Sequence, residues 1–246
     1  MAGSIPRLVR LLWRDEIPAG PTRGRPARLS VDEVVAAGIA LADDEGLGSV
    51  TMRAVAARLH AAPMALYAHV PDKTTLLALM TDHVLAQMPH GEYERLDDWR
   101  ERLARVAADN RELHLEHAWL ATAGPDPTPI GPGAVGKYER ELRALAPLGL
   151  PPLDADACLT LLVDFARSSA QATHAASAPD DPDWWADAAP ELARHVTSER
   201  FPLASRIGAA AGEQHGAARD DEHAWRFGLA RILDGIGTLA GDRPRR

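Results

Sequence analysis

Two short amphipathic helices, predicted between Thr51 and Pro71, restrict the folds that this chain can adopt. Thr51 is a typical N-cap residue, and apolar residues then recur at i, i+3, i+4 and i+7 as Met52, Val55, Ala56 and Leu59. Pro63 fits the first position of the next helix, which repeats the spacing with Leu66, Tyr67 and Val70 before Pro71 ends it. A connection of about three residues between two such helices is typical of a helix-turn-helix.

Helices are also predicted on both sides of this pair. Ser30 and Glu33 form a capping box in front of an apolar helical repeat, and Asp72 caps a further helix that Pro89 stops. The sequence shows no sustained alternation of valine, isoleucine or threonine, which would indicate strands. A chain of 246 residues with 46% hydrophobic residues suffices for two domains. We therefore predict an all-α protein with a small N-terminal domain and a larger helical domain.

The remainder of the chain is predicted to form longer helices separated by irregular segments. Asp98 opens the first of these helices, and others are predicted at 137–147, 155–176 and 220–240, with two more within 184–215. Proline and glycine recur through residues 123–136, which predicts a loop. Residues 17–28 combine proline, glycine and three arginines, and residues 1–29 as a whole are predicted to be a flexible basic arm.

The distribution of charge is more informative than the net charge of −8. Residues 1–73 contain nine Lys/Arg and eight Asp/Glu, so the excess of acidic residues lies in the rest of the chain. The charge of the N-terminal part is therefore compatible with binding to phosphate groups. The single cysteine, Cys158, excludes an internal disulfide and favours a cytoplasmic setting. Arginines interrupt the apolar run at 8–13, so neither a signal peptide nor a membrane span is expected.

The second helix of the pair has small and apolar side chains that the core does not need. Leu66 and Val70 fill its inward positions, so Met64 and Ala65 must face elsewhere. Short side chains let a helix approach base edges in the major groove, where methyl and thioether groups contact thymine methyl groups. The alternative is a small helical bundle in which these two helices have no partner and Tyr67 is half-buried.

The segments VTMRAVAARL and ALYAHVPDKTTLLALM, within residues 30–80, resemble the DNA-binding domain of the TetR family of bacterial transcriptional repressors. Thr51 and Arg53 match the start of its second helix, residues 66–70 match a Leu-Tyr-x-His-Val motif, and Lys73 opens its fourth helix. That motif is similar to the tetracycline-repressor branch. The resemblance implies a helix-turn-helix domain over 30–76 and an effector-binding and dimerisation domain over 77–246.

The resemblance also implies which residues contact double-stranded DNA. The candidates for phosphate contacts are Thr51, Arg53, Tyr67 and Lys73, the candidates for base contacts are Pro63, Met64 and Ala65, and His69 is a further candidate. Two positions depart from the family pattern, because His60 replaces the usual turn glycine and Ala62 replaces a capping serine. Histidine tolerates positive φ better than most residues, so the turn is expected to survive.

The basic arm supplies three further candidate DNA contacts. Arg23, Arg25 and Arg28 precede the first helix of the domain closely enough to reach the minor groove or the phosphate backbone. A solvated linker is the alternative interpretation of the same residues.

Segments beyond residue 90, such as DWRERLARVA and KYERELRAL, resemble the effector domain of the same branch. The resemblance implies a small-molecule pocket and a homodimer formed by the helices at 155–176 and 220–240. Aromatic and short hydrogen-bonding side chains are the candidates for the pocket, although each also suits an ordinary core: Trp119, Tyr138, Phe165, Ser169 and Thr173.

These features predict a ligand-responsive DNA-binding regulator, specifically a repressor that a small molecule releases from a palindromic operator. No cofactor or metal is predicted, because His114 and His117 have no identified third ligand. An enzyme is disfavoured because the sequence lacks a dinucleotide site, a P-loop and a nucleophile elbow. The remaining alternative is a helical ligand-binding or scaffolding dimer whose DNA domain does not function.

Overall fold

The computed structural model describes residues 4–16, 29–88, 93–122, 130–176, 184–215 and 220–241. Every regular element within these ranges is helical, which confirms the all-α prediction. The α-helices in chain order are α1 (Ser4–Leu12), α2 (Val31–Glu45), α3 (Met52–Arg58), α4 (Pro63–His69), α5 (Lys73–Gln87), α6 (Trp99–Glu116), α7 (Ala118–Thr122), α8 (Pro132–Leu145), α9 (Pro152–Ala176), α10 (Trp184–His195), α11 (Pro202–His215) and α12 (Asp221–Gly241).

The N-terminal helices begin where local side-chain caps place them. Ser30 Oγ accepts the Glu33 backbone N–H at 3.1 Å, and the Glu33 carboxylate accepts the Ser30 backbone N–H at 2.7 Å. The side chains of Thr51 and Asp72 accept the backbone N–H three residues further on, at 3.1 and 2.7 Å. Each bond satisfies a donor that has no partner within its helix, so the predicted starts of α2, α3 and α5 are confirmed.

The helices α2–α5 enclose a first apolar core. Its fully buried members include Val34 and Val35 of α2, Val55 of α3, Leu66 of α4, and Leu76 and Met80 of α5. Trp119 and Leu120 of α7 belong to the same core although they follow it by many residues in sequence. The larger domain therefore contributes directly to the packing that supports the helix-turn-helix.

Residues 4–16 correct the prediction of a flexible arm over residues 1–29. They form α1 and one turn of 3-10 helix at Arg14–Glu16, and Leu12 is buried in the first core. The sequence SIPRLVRLL is amphipathic, and Leu8, Leu11 and Leu12 pack against the first core. Their burial offsets the chain entropy lost on ordering. Residues 17–28, which include Arg23, Arg25 and Arg28, lie outside the described residues, and the arm stays a prediction there.

A second apolar core lies between α6, α8, α9 and α12. Its buried residues are Tyr93, Leu103, Val106, Ala107, Ala144, Leu145, Cys158, Leu159, Leu162, Ala166, Trp225, Leu233 and Ile236. The loop predicted over 123–136 is wrong in its last part, because α8 begins at Pro132. Proline has no N–H to leave unsatisfied in a first helical turn, so a proline-rich stretch is compatible with a helix start.

Among the described residues, no single helix is long and apolar enough to cross a membrane. Length and composition would suffice only for Pro132–Leu148 and Pro152–Ala175 taken together, and this pair is bent by 117°.

The two faces of α4 should differ sharply in their sensitivity to substitution. Leu66→Ala should lower the free energy of unfolding by about 2–5 kcal/mol, because it removes a fully buried side chain and leaves a cavity. Met64→Ala is the matched control and should stay within about 0.5 kcal/mol, because that side chain is exposed. Urea denaturation monitored by circular dichroism measures both changes, and equal losses would contradict this orientation of α4.

Candidate DNA-binding face and effector site

The outer face of α4 carries the side chains that the sequence assigned to base contacts. Pro63 and Ala65 are exposed, Met64 is 76% exposed and Tyr67 is 42% exposed, whereas Leu66 is fully buried. A methionine in this position exposes apolar surface to water in the free protein. Its exposure therefore favours a role in contacting a partner. His69, at the end of the helix, is half-buried.

Three of the four candidate phosphate contacts lie at the starts of the neighbouring helices, and the fourth, Tyr67, lies in α4 itself. Thr51 uses its hydroxyl to cap α3, and Arg53 lies exposed in the first turn of that helix. Arg53 has no carboxylate partner among the described residues, while Arg58 is paired with Asp44 at 2.6 Å. Lys73 is half-buried in the first turn of α5. An exposed guanidinium without a carboxylate partner suits phosphate binding.

The turn before α4 forms with His60 in place of the usual glycine, as the sequence predicted. His60 has a φ of 51°, in the left-handed region that usually favours glycine. The Ala61 backbone N–H closes the turn by donating to the Ala56 carbonyl at 2.9 Å. Ala62 provides no side-chain cap for α4, as expected. The turn therefore keeps its shape without either of the usual residues.

Two of the five candidate pocket residues already have partners of their own, one in the first core and one at the surface. Trp119 is 2% exposed, packs in the first core, and donates its Nε1–H to Asp43 Oδ1 of α2 at 2.8 Å. His117 Nδ1 lies 2.9 Å from the same oxygen. Tyr138 is exposed and donates its hydroxyl to Asp156 at 2.7 Å. Trp119 thus links the larger domain to α2, and Tyr138 belongs to the surface.

The other three candidates share one flank of α9. Phe165 stacks on Trp225 of α12, with ring centroids 5.3 Å apart. Thr173 donates to the Ser169 carbonyl at 3.2 Å and lies 3.5 Å from a guanidinium nitrogen of Arg111 on α6. Phe165, Ser169 and Thr173 therefore lie along the side of α9 that meets α6 and α12.

Two polar residues of α6, Asn110 and His114, are buried, and the sequence did not predict either of them as an effector contact. Asn110 is fully buried and donates both amide hydrogens, to the Val106 carbonyl at 2.8 Å and to Glu141 Oε1 of α8 at 2.6 Å. Its Oδ1 has no hydrogen-bond partner among the described residues, and the same is true of Nδ1 of buried His114. We call Asn110, His114 and Glu141 the buried polar cluster. The sequence signal was an Asn and a His spaced i, i+4 within an apolar stripe.

The buried polar cluster carries little uncompensated charge. Lys137 pairs with Glu141 at 2.8 Å. Burial lowers the pKa of His114 to about 4, and the positive charges of Arg167 and Lys137 add to that shift. At neutral pH the imidazole is therefore uncharged, and the cluster offers hydrogen-bonding atoms rather than a net charge.

A separate cavity of about 200 Å³ lies between α5 and α6. Its walls include Glu112 and Leu113 of α6, together with Met88 and His117, which directly follow α5 and α6. Since His117 also contacts Asp43 of α2, this cavity adjoins the contact between the two domains. Within the described residues, no group of three or more His, Cys, Asp or Glu side chains is arranged to hold a metal ion.

Two models of one protein family together match most of the sequence. Residues 34–80 match the model described as bacterial regulatory proteins, tetR family. Residues 93–240 match the model described as tetracyclin repressor-like, C-terminal domain. The chain belongs to the TetR family. It is accordingly a ligand-responsive DNA-binding transcriptional regulator, as the sequence predicted.

Two characterised relatives extend the similarity over most of the chain. The HTH-type transcriptional repressor DrrR1 of Streptomyces coeruleorubidus is 32% identical, over 98% of this chain and 89% of that protein. The tetracycline repressor protein class E of Escherichia coli is 29% identical, over 88% of this chain and 95% of that protein. These relatives are transcriptional regulators and not enzymes.

Solved structures of ActR from Streptomyces coelicolor share this fold. The apo structure has a TM-score of 0.72 and 27% identity, covering 89% of this chain and 99% of ActR. The complex of ActR with actinorhodin has a TM-score of 0.76 and 26% identity, covering 88% of this chain and 100% of ActR.

The uncharged state of His114 predicts a pH dependence of stability. Its pKa is 6.5 as a free group and about 4 in the folded protein, so the unfolded chain binds this proton first as the pH falls. The free energy of unfolding should not depend on His114 above about pH 6.5. As the pH is lowered below 6.5, it should decrease, by on the order of 3 kcal/mol near pH 4. Urea unfolding at several pH values measures this decrease. His114→Gln should show a shallower decrease, and an identical slope in both proteins would contradict the assignment.

Proposed function

We propose that the protein is a homodimeric repressor that reads a palindromic operator with α4 of each subunit. The observation that carries this proposal is the arrangement of α4, in which Leu66 anchors the helix in the core while Met64 and Tyr67 stay exposed. An outer face of small and apolar side chains suits base edges in the major groove. A two-fold dimer would place the two α4 helices on half-sites about one DNA turn apart.

Separate sets of residues are proposed for sequence readout and for positioning. Pro63, Met64 and Ala65 are proposed to face bases, because they are exposed at the start of α4. The proposed phosphate contacts are Thr51, Arg53, Tyr67 and Lys73, with His69 beside them. Phosphate contacts set affinity and orientation, whereas base contacts determine sequence preference.

Three arginines beyond the described residues complete the proposed DNA interface. Arg23, Arg25 and Arg28 would follow the minor groove or the backbone. A protein with this role acts where the chromosome is, so we propose the cytoplasm as its compartment.

The dimer is proposed to form through α9 and α12. Both helices expose large apolar side chains in the isolated chain, including Leu161 of α9 and Phe227 and Leu239 of α12. Two helices from each subunit would form a four-helix interface that removes these side chains from water. This arrangement would fix the separation of the two DNA-binding domains.

The effector is proposed to bind at the buried polar cluster, and Phe165, Ser169 and Thr173 of α9 are proposed as further contacts. Asn110 Oδ1 and His114 Nδ1 are buried without partners, and a bound molecule that hydrogen-bonds to them would remove the resulting penalty. The ligand would stabilise a state in which the two α4 helices no longer match the half-sites, because a ligand shifts a population only through unequal affinity for its states.

Changes at two positions of α4 should separate affinity from sequence preference. Tyr67→Phe should weaken binding to all DNA sites alike, by about 1.5–3 kcal/mol per subunit, because one hydrogen bond to a phosphate is lost. Met64→Ala should instead relax the preference at one or two base pairs of each half-site. Binding-site selection followed by titration at fixed salt measures both effects. The reverse outcome would show that the two roles are exchanged.

A change in the buried polar cluster should affect release from the operator but not operator binding. Small molecules are first screened for release of the wild-type protein, beginning with actinorhodin because ActR binds it. For a releasing compound, Asn110→Leu should raise the concentration needed at least about 10-fold, since a buried hydrogen bond is lost. Operator affinity without ligand should stay within about two-fold.

Tyr138→Phe is the control for that experiment. It removes a hydroxyl from an exposed residue of α8 that lies outside the buried polar cluster. The control should leave release unchanged. If Tyr138→Phe impaired release while Asn110→Leu did not, the effector would lie elsewhere.

A further inference from the structure

The first turn of α8 is capped by a residue from another helix. Gly131 is the N-cap residue and has no side chain to accept a hydrogen bond, and Pro132 at the first helical position has no N–H. The next two backbone N–H groups, of Gly133 and Ala134, donate to the carboxylate of Asp82 on α5 at 3.3 and 2.9 Å. The helix start that follows residues 123–129 is therefore stabilised by α5.

The backbones of α5 and α8 are in direct contact at this point. A Cβ at Gly133 would overlap the backbone carbonyl of Asp82 and would lie 2.9 Å from the backbone nitrogen of Ala86. A Cβ at Gly131 would overlap the Asp82 carboxylate. No flexible side chain lies between the two backbones, so a displacement of α8 cannot be absorbed there.

A second connection reaches the same corner from the N-terminal helix. Trp13, which directly follows α1, donates its Nε1–H to the Ile130 carbonyl at 2.8 Å. The adjacent Arg14 forms an ion pair with Asp32 of α2. The segment that precedes α8 is thus connected to the first helix of the DNA-binding domain as well as to α5. We call Trp13, Asp82 and Gly133 the α8 clamp.

The α8 clamp lies between the proposed effector site and α4. Glu141, further along α8, accepts the hydrogen bond of Asn110 in the buried polar cluster. At its other end, α5 begins at Lys73, and three residues separate it from the end of α4 at His69. The helix is uninterrupted from Lys73 to Asp82, about 15 Å at the helical rise per residue. A shift of α8 would therefore displace α5 as a rigid body, and with it the C-terminal end of the recognition helix α4.

We propose that Trp13 and Asp82 are positioning residues that transmit the position of α8 to the DNA-binding domain. This inference rests on the proposed function, since it assigns the connection between the effector site and α4. Both residues lie outside the two family-matched ranges, residues 34–80 and 93–240, so the family assignment does not itself supply this role.

The principal test compares two lost helix caps. Asp82→Ala removes the cap that α5 provides to α8, whereas Asp98→Ala removes a cap that α6 provides to itself through the Arg100 N–H. Trp13→Phe removes only the hydrogen bond to Ile130 and keeps an aromatic ring. Each protein is titrated with the palindromic duplex that the wild-type protein selects from a random library, and with an isolated half-site.

The half-site and the full site distinguish positioning from simple loss of stability. Asp82→Ala should weaken binding to the palindrome at least about 10-fold and leave half-site binding within about two-fold, because each α4 stays intact while the spacing of the pair is lost. Trp13→Phe should show the same pattern with a smaller change. Asp98→Ala should change neither duplex by more than about two-fold. Equal losses on both duplexes, or the same pattern in Asp98→Ala, would overturn the proposal.

Hydrogen exchange provides a test that does not depend on an operator. In Asp82→Ala, amide exchange should accelerate at Gly133 and Ala134 and also in α4 and the first turn of α5, whereas Asp98→Ala should affect only α6. Acceleration confined to α8 would overturn the proposal. If the wild-type protein selects no operator, the proposed function is wrong. Hydrogen exchange still decides whether the α8 clamp connects α8 to the DNA-binding domain.

Discussion

The packing of α5 against both domains is the constraint on which the rest of this structure depends. Leu76 and Met80 are fully buried in the first core, and Met80 packs so closely on Gly38 of α2 that a Cβ there would lie 2.8 Å from its sulfur. Two residues later, Asp82 contacts the backbone of α8 at Gly133. Close-packed interiors transmit displacement because they contain little free volume. A single rigid helix therefore fixes the effector domain relative to the helix-turn-helix.

This support explains how a seven-residue helix can present an unusual surface. A helix as short as α4 is unstable in isolation, because nucleation is costly and few hydrogen bonds follow. It also lacks a side-chain cap at Ala62, and the turn before it has His60 at positive φ. Burial of Leu66 and Val70 supplies the missing stability. The outer face is consequently free to carry Met64, which contributes nothing to the core.

The effector domain combines an apolar core with a few polar groups whose arrangement depends on distant helices. Asn110 and Glu141 meet across α6 and α8, and the Lys137 ammonium group compensates the carboxylate. Buried polar atoms without hydrogen-bond partners reduce the stability of the folded protein. Such atoms are retained where a function, such as binding a ligand, outweighs that cost. His114 shows the cost directly, because burial lowers its pKa. The same low-polarity surroundings would strengthen each hydrogen bond made to a ligand.

The sequence by itself determined the starts of the N-terminal helices, the helix-turn-helix and the outward face of α4, because caps and helical periodicity act within a few residues. It wrongly predicted a flexible arm over the residues that form α1. An amphipathic pattern shows that a helix has an apolar face, but it does not show whether another helix is present to cover that face. Only the tertiary structure placed Trp119 against Asp43 and brought Asp82 to α8. Such contacts join residues far apart in sequence, and whether an aromatic or polar side chain lines a pocket, fills a core or caps a neighbouring helix depends on which helices pack around it.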